Sequence, residues 1–227
     1  MSVSRLMSLL RAGILACSLV PRTAAQSSSS SSSKKIKGPP AAARDIEDGA
    51  VVNDVYRNQS LGLTCKIPAG WVLRTEEMKA RDAADDHGAA SPGPEGAQGC
   101  RDACGKVLLA AFSRPPEARG EDINSSILIA AESVSAYPGL KAAAQYFGPL
   151  GEIAKAQGFA VDEEPYEFAL GNRNVIRGDF HKDVGTRVMR QSTLAFLAHG
   201  YAVSITILGG TEDEVEELID GVSFVGK

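Results

Sequence analysis

Four strand-like stretches follow one another with almost no chain between them, at residues 160–170, 174–182, 186–198 and 201–208. Gly171-Asn172 and His199-Gly200 separate members of the series, and such pairs supply the turn residues that tight hairpins use. Parallel neighbours need a crossover of about a dozen residues or more, which these gaps exclude. The stretch therefore predicts an antiparallel meander, against which the rest of the chain has to pack.

The upstream segments fit that frame. Tyr56-Arg57-Asn58 and residues 61–68 alternate apolar and polar side chains around Ser60-Leu61-Gly62, as two short strands joined by a turn would. Pro68-Ala69-Gly70-Trp71 ends the second strand, and the folded part is expected to begin near Val51. Residues 106–112 and 127–135 read as two further strands. Leu140, Ala143, Ala144, Phe147, Leu150, Ile153 and Ala154 recur at helical spacing, with Gly148-Pro149 expected to kink or split the helix and Gly158 to close it. Thr211-Glu212-Asp213-Glu214 is a capping box with acids at the positive end of the helix dipole, followed by Val215, Leu218, Ile219 and Val222 on one face. Strands and helices segregate, so the fold class is α+β: an antiparallel β-sheet flanked by helices.

Composition divides the chain into segments. Residues 1–25 carry Arg5, Arg11 and Arg22 with no acid, an apolar run at 12–20, and small residues at Thr23 and Ala25. This is the three-part pattern of a secretory signal peptide cut after Ala25. The run is too short to span a bilayer, which takes about 20 residues. An alternative lies within it: Ile14-Leu15-Ala16-Cys17 resembles a lipobox, in which Cys17 is acylated and anchors a lipoprotein. Residues 26–50 contain seven consecutive serines at 27–33, then Lys34-Lys35-Ile36-Lys37-Gly38-Pro39-Pro40, a composition expected of a flexible linker. Residues 51–227 form the α+β domain, interrupted at 82–105 by a segment with no sustained apolar period, expected as a disordered surface insertion.

Charge and cysteine usage narrow the classes. The net charge is −4 and becomes −7 once the signal's three arginines are removed, which argues against nucleic acid or an anionic membrane as partner. Processing after Ala25 leaves Cys65, Cys100 and Cys104. Cys100 and Cys104 lie in a glycine-rich segment where a disulfide is possible in an oxidising compartment. Cys65 falls in a strand pattern and reads as a small buried side chain. No second Cys or His pair completes a four-ligand metal set around Cys100-x-x-x-Cys104.

The domain resembles the PsbP-like superfamily, on Tyr56-Arg57-Asn58 with Leu61-Gly62-Leu63, on Ile67-Pro68-Ala69-Gly70-Trp71, and on a C-terminal helix closing on Gly221-Val222-Ser223-Phe224. The resemblance covers roughly residues 51–227 and implies a PsbP-like α/β/α sandwich. It also implies non-enzymatic work: binding, assembly or stabilisation of a larger complex. It transfers no set of active-site residues and no cofactor.

Few side chains suggest chemistry. Asp179, His181 and Asp183 alternate along a strand pattern, which puts them on one face with Arg177 at its end, as a metal or acid–base set would need. Phe180 between them reads as core-facing, which leaves the set on a solvated face. Trp71, Tyr56 and Tyr146 are candidates to line a ligand cleft, with Tyr137 nearby. Asn58-Gln59-Ser60 and Asn124-Ser125-Ser126 fit the glycosylation sequon. Hydrolase-elbow, phosphate-loop and His-Glu-x-x-His patterns are missing from the sequence. The sequence thus points to an exported, non-enzymatic binding or assembly protein of the cell envelope, periplasmic or extracellular, whose partner is another envelope protein or a small ligand. The alternative is a metal-dependent enzyme or metal-binding protein using Asp179, His181 and Asp183.

Overall fold

The computed structural model describes residues 45–88, 105–118, 120 and 122–225, with backbone alone for 82–88. The signal pattern, the serine run, Cys17, Cys100 and Cys104 lie outside the described residues. Two antiparallel sheets and three helices make an α+β fold.

The meander forms as the turn chemistry predicts. Strands β8 (Tyr166–Leu170), β9 (Arg173–Val184), β10 (Arg187–Ala198) and β11 (Tyr201–Gly209) pair antiparallel in sequence order. At the β10–β11 turn His199 has φ 53° and Gly200 φ 83°, the two positive values of a twisted hairpin. The single strand expected over 160–170 is divided instead: β7 (Ala160–Val161) and β8 pair with different parts of β9, on either side of Pro165. A proline cannot donate to the ladder, so the strand breaks there. On the other side of β11 the sheet continues through β6 (Ser126–Ser133), β5 (Lys106–Phe112) and the two-residue β4 (Val72–Leu73).

The second sheet runs β1 (Ala50–Val52), β2 (Val55–Asn58), β3 (Leu63–Lys66) and β12 (Val222–Phe224). Together with helix α3 (Glu212–Asp220) it covers one face of the large sheet. Its Tyr56, Leu63, Cys65, Val222 and Phe224 join Ile127, Ile129, Leu194, Val203, Ile205 and Ile207 in one buried cluster, closed by Val215, Leu218 and Ile219 of α3. Ile46 is fully buried in the same cluster, so the fold starts earlier than Val51 and takes in the end of the segment read as linker.

Two helices cover the opposite face. Helix α1 (Thr75–Gly88) drops Met78 onto Val107, Ala110, Phe112 and Leu128. The sequence reading missed this helix, because Thr75–Gly88 has few apolar residues and no apolar period; acids Glu76 and Glu77 in its first turn favour it locally. The helix also extends into the segment expected to be a structureless insertion, as far as Gly88. Helix α2 (Ala143–Ala156) packs Tyr146, Phe147 and Ala154 on Phe180, Ala195 and Ala202. Pro149 lies inside it and the helix runs through as one element, so of the kink or split expected there the split does not occur. Pro149 is the seventh residue, where its ring position costs one backbone bond but two turns on either side remain seated on the sheet. Among the described residues no helix is long and apolar enough to cross a membrane.

The capping box before α3 forms with one shift. Thr211 Oγ1 accepts from the Glu214 backbone at 3.1 Å, while the Glu214 carboxylate reaches past Thr211 to accept from Gly210 N at 2.8 Å.

Candidate functional site

The face of the large sheet beneath α2 carries an unusual set of side chains. On β10, Gln191, Thr193 and Ala195 alternate with Ser192, Leu194 and Phe196; on β11, Ala202, Ser204 and Thr206 alternate with Val203, Ile205 and Ile207. Alternation therefore sends the aliphatic series into the main core and the polar series toward α2. The register sets Thr193 beside Thr206, Thr206 beside Leu128, Ser204 beside Ala130, and Ala202 beside Glu132. All of these polar residues are buried.

Above them α2 presents Tyr146, Leu150, Ile153 and Ala154, and a cavity of about 30 Å³ remains between helix and sheet. That is the room one water molecule occupies. Ala130 and Ser204, both small, form part of its floor. One end holds Gln191, whose Nε2 donates to Thr193 Oγ1 at 3.3 Å, with Thr206 Oγ1 3.4 Å from Thr193 Oγ1. Glu132, four residues along β6 from Leu128, lies toward the other end.

Glu132 is 5% exposed and is the one charged side chain in the lining. The Tyr137 hydroxyl donates to its Oε2, and Tyr137 packs edge-on against Tyr146 with ring centroids 5.3 Å apart. Burial pushes the Glu132 carboxyl up, and the neighbouring phenols only partly offset it. Burial and the Glu132 charge likewise raise both tyrosines. Burial thus favours the protonated form of each of the three groups. The Tyr146 hydroxyl is buried close to Glu132 and Tyr137, but its geometry toward them falls short of a well-formed hydrogen bond. A buried hydroxyl without a partner costs about 1–3 kcal/mol.

The residues singled out in the sequence are distributed elsewhere. Asp179, His181 and Asp183 do share the face of β9 opposite Phe180, which packs under α2 as expected. They do not converge. Asp179 accepts from Arg177 Nε at 3.0 Å and from the Tyr166 hydroxyl at 3.1 Å; His181 pairs through Nδ1 with Asp162; Asp183 is exposed near the strand end. Among the described residues no group of three or more His, Cys, Asp or Glu is placed to hold a metal ion.

Tyr56 and Trp71 pack with the main core, whereas Tyr146 belongs to the cluster on the other side of the large sheet. The expected cleft of Trp71, Tyr56 and Tyr146 therefore divides between two faces. Tyr56 is used internally, donating to the Asp48 carbonyl at 2.9 Å. Cys65 is a buried free thiol, and burial pushes it up to about 12. Neither sequon asparagine is idle: Asn58 Nδ2 donates to the Glu47 carbonyl at 2.8 Å, and Asn124 Nδ2 donates to the Arg114 carbonyl at 3.1 Å. His199 Nε2 lies 2.9 Å from the Ser60 carbonyl, bridging the meander turn to the small sheet.

Glu132, Gln191, Thr193, Ser204 and Thr206 escaped the sequence reading. In a strand they look like the solvent-facing half of an alternating pattern, and only the position of α2 makes them buried. The available signal was the pairing of those polar positions with small residues at Ala130 and Ala195.

No family model matches the chain, and no curated protein matches it. The PsbP-like resemblance is therefore not confirmed. Solved structures with a similar outline include LpqN of Mycobacterium tuberculosis, involved in cell envelope biogenesis, at 13% identity and TM-score 0.37 over 72% of this chain and 83% of that one. Another is a Pseudomonas aeruginosa protein of unknown function, at 14% identity and TM-score 0.35 over 49% of this chain and 78% of that one. At those values neither likeness assigns a family or an activity, and what stands is an α+β chain with a polar, partly unsatisfied cavity between α2 and its large sheet.

Proposed function

We propose that this chain is an exported, non-enzymatic binding protein in which the polar slot between α2 and the large sheet receives one small polar group of its ligand. The observation that carries the reading is the Tyr146 hydroxyl, buried at the cavity and without a well-formed hydrogen bond. An unsatisfied polar group in a native interior calls for a partner, and here it faces a floor of Glu132, Ser204, Thr206, Thr193 and Gln191. The hydroxyls and the amide that line it donate and accept hydrogen bonds, which suits the slot to binding. Export rests on the signal pattern of residues 1–25.

Thermal-shift screening of the mature chain against small polar compounds tests the reading. A hit should raise the melting temperature in proportion to occupancy, and Ala130→Leu, which fills the slot from its floor, should abolish that rise. A ligand whose affinity is unchanged by Ala130→Leu would place binding elsewhere and overturn the proposal.

A further inference from the structure

Beyond the ligand reading but in the same slot, we infer an internal hydration site: one water molecule held between the Tyr146 hydroxyl and the hydroxyl row of β11. Three observations converge on it. The space is about 30 Å³, room for one water and for nothing larger. Its lining is polar where a dry cavity would be aliphatic, because Tyr146, Ser204, Thr206, Thr193 and Gln191 border it and all are buried. The hydroxyls there also keep bonding capacity. Tyr146 lacks a well-formed bond, and the 3.4 Å contact between Thr193 and Thr206 is long for two hydroxyls.

The register places the water. Ala202 stands beside Glu132 at one end and Thr206 beside Thr193 at the other, with Ser204 between them. Tyr137 already claims the Glu132 end, so the open position lies along Ser204 and Thr206, beneath α2. An internal water makes about three hydrogen bonds, and it gives protons as well as taking them. Hydroxyls that rotate to donate or accept suit both needs. A water held in this way sets the terms of entry to the slot: a ligand's polar group takes its place and has to repeat its hydrogen bonds.

Magnetic relaxation dispersion of the solvent oxygen counts long-lived internal waters in solution. The unaltered protein should show one more such water than Ala130→Leu, which fills the slot. Tyr146→Phe keeps the ring and removes the hydroxyl, and should shorten the residence time of that water severalfold; it supplies the reading if Ala130→Leu folds poorly. A crystal structure should show one solvent peak within about 3.2 Å of the Tyr146 hydroxyl and of Ser204 Oγ or Thr206 Oγ1. Xenon, which enters dry apolar cavities, should stay out of the slot. Identical dispersion in all three proteins, a Tyr146 hydroxyl bonded directly to Glu132 over a dry slot, or xenon in the slot would overturn the inference. An ordered water with no screening hit that Ala130→Leu blocks would support it and remove the ligand reading. A hit that Ala130→Leu blocks, at a slot that is dry beforehand, would do the reverse.

Discussion

Arg177 and Glu216 join β9 to α3 by two parallel hydrogen bonds, Nη1 to Oε2 at 3.1 Å and Nη2 to Oε1. The same guanidinium bonds Asp179 through Nε and stands 5.1 Å above the Phe168 ring. Arg177 is buried while Glu216 is half-exposed, so the arginine is the partner whose loss matters.

Replacing it by methionine keeps much of the packing volume and strips Asp179 of its countercharge. Arg177→Met should cost about 2 kcal/mol, below the usual cost of breaking a fully buried pair because water reaches Glu216 and Asp179. Glu216→Gln should cost well under half of that. Urea unfolding of the two variants measures both.

Gly178 is the point of closest approach between β9 and α2. A methyl group there would stand 2.4 Å from Cε1 of Phe147, and the ring is buried with no free side to move into. Gly178→Ala should destabilise by about 1–3 kcal/mol. In a Phe147→Leu background the added cost should shrink, a coupling that a double-mutant cycle reads directly.

Glu132 makes stability depend on pH. Its folded carboxyl titrates above its unfolded value of 4.5, so between those points the native state holds a proton that the unfolded chain has released. Stability is therefore fully present below the unfolded value and is lost as pH rises through the folded one. Glu132→Gln should remove this part of the slope and raise the melting temperature at neutral pH relative to the unaltered protein. A pH series of thermal melts on the two proteins checks it.

Cys65 should be inert. Burial raises its thiol to about 12 and seals it in the main core, so little thiolate is available at neutral pH. Iodoacetamide at pH 8 should leave Cys65 unmodified in the native protein and modify it fully in guanidinium, as peptide mapping would show.

The elements legible in the sequence were those whose signals are local. The β10–β11 turn needs positive φ at His199 and Gly200, and the α3 start needs an acceptor at Thr211; both can be read within a few residues. The failures share the opposite property. Helix α1 has few apolar residues, Met78 being the buried one among its described side chains, and so no period to read. Pro149 is carried by an intact helix because α2 is held by its contacts with the sheet. Asp179 and His181 were placed on their correct face, yet Tyr166, Asp162 and Glu216, which claim that face, come from other elements.

The sequence alone determined the antiparallel meander, the α+β class and the amphipathic face of α3, because turn geometry and side-chain periodicity act over two to four residues. It also carries, at residues 1–25, the three-part pattern on which the proposal of export rests. Only the tertiary structure decided that Glu132, Ser204, Thr206, Thr193 and Gln191 are buried together, since burial depends on which element covers a face and no strand encodes its own cover. The slot under α2 arises from that covering, over a floor that includes the small residues Ala130 and Ser204.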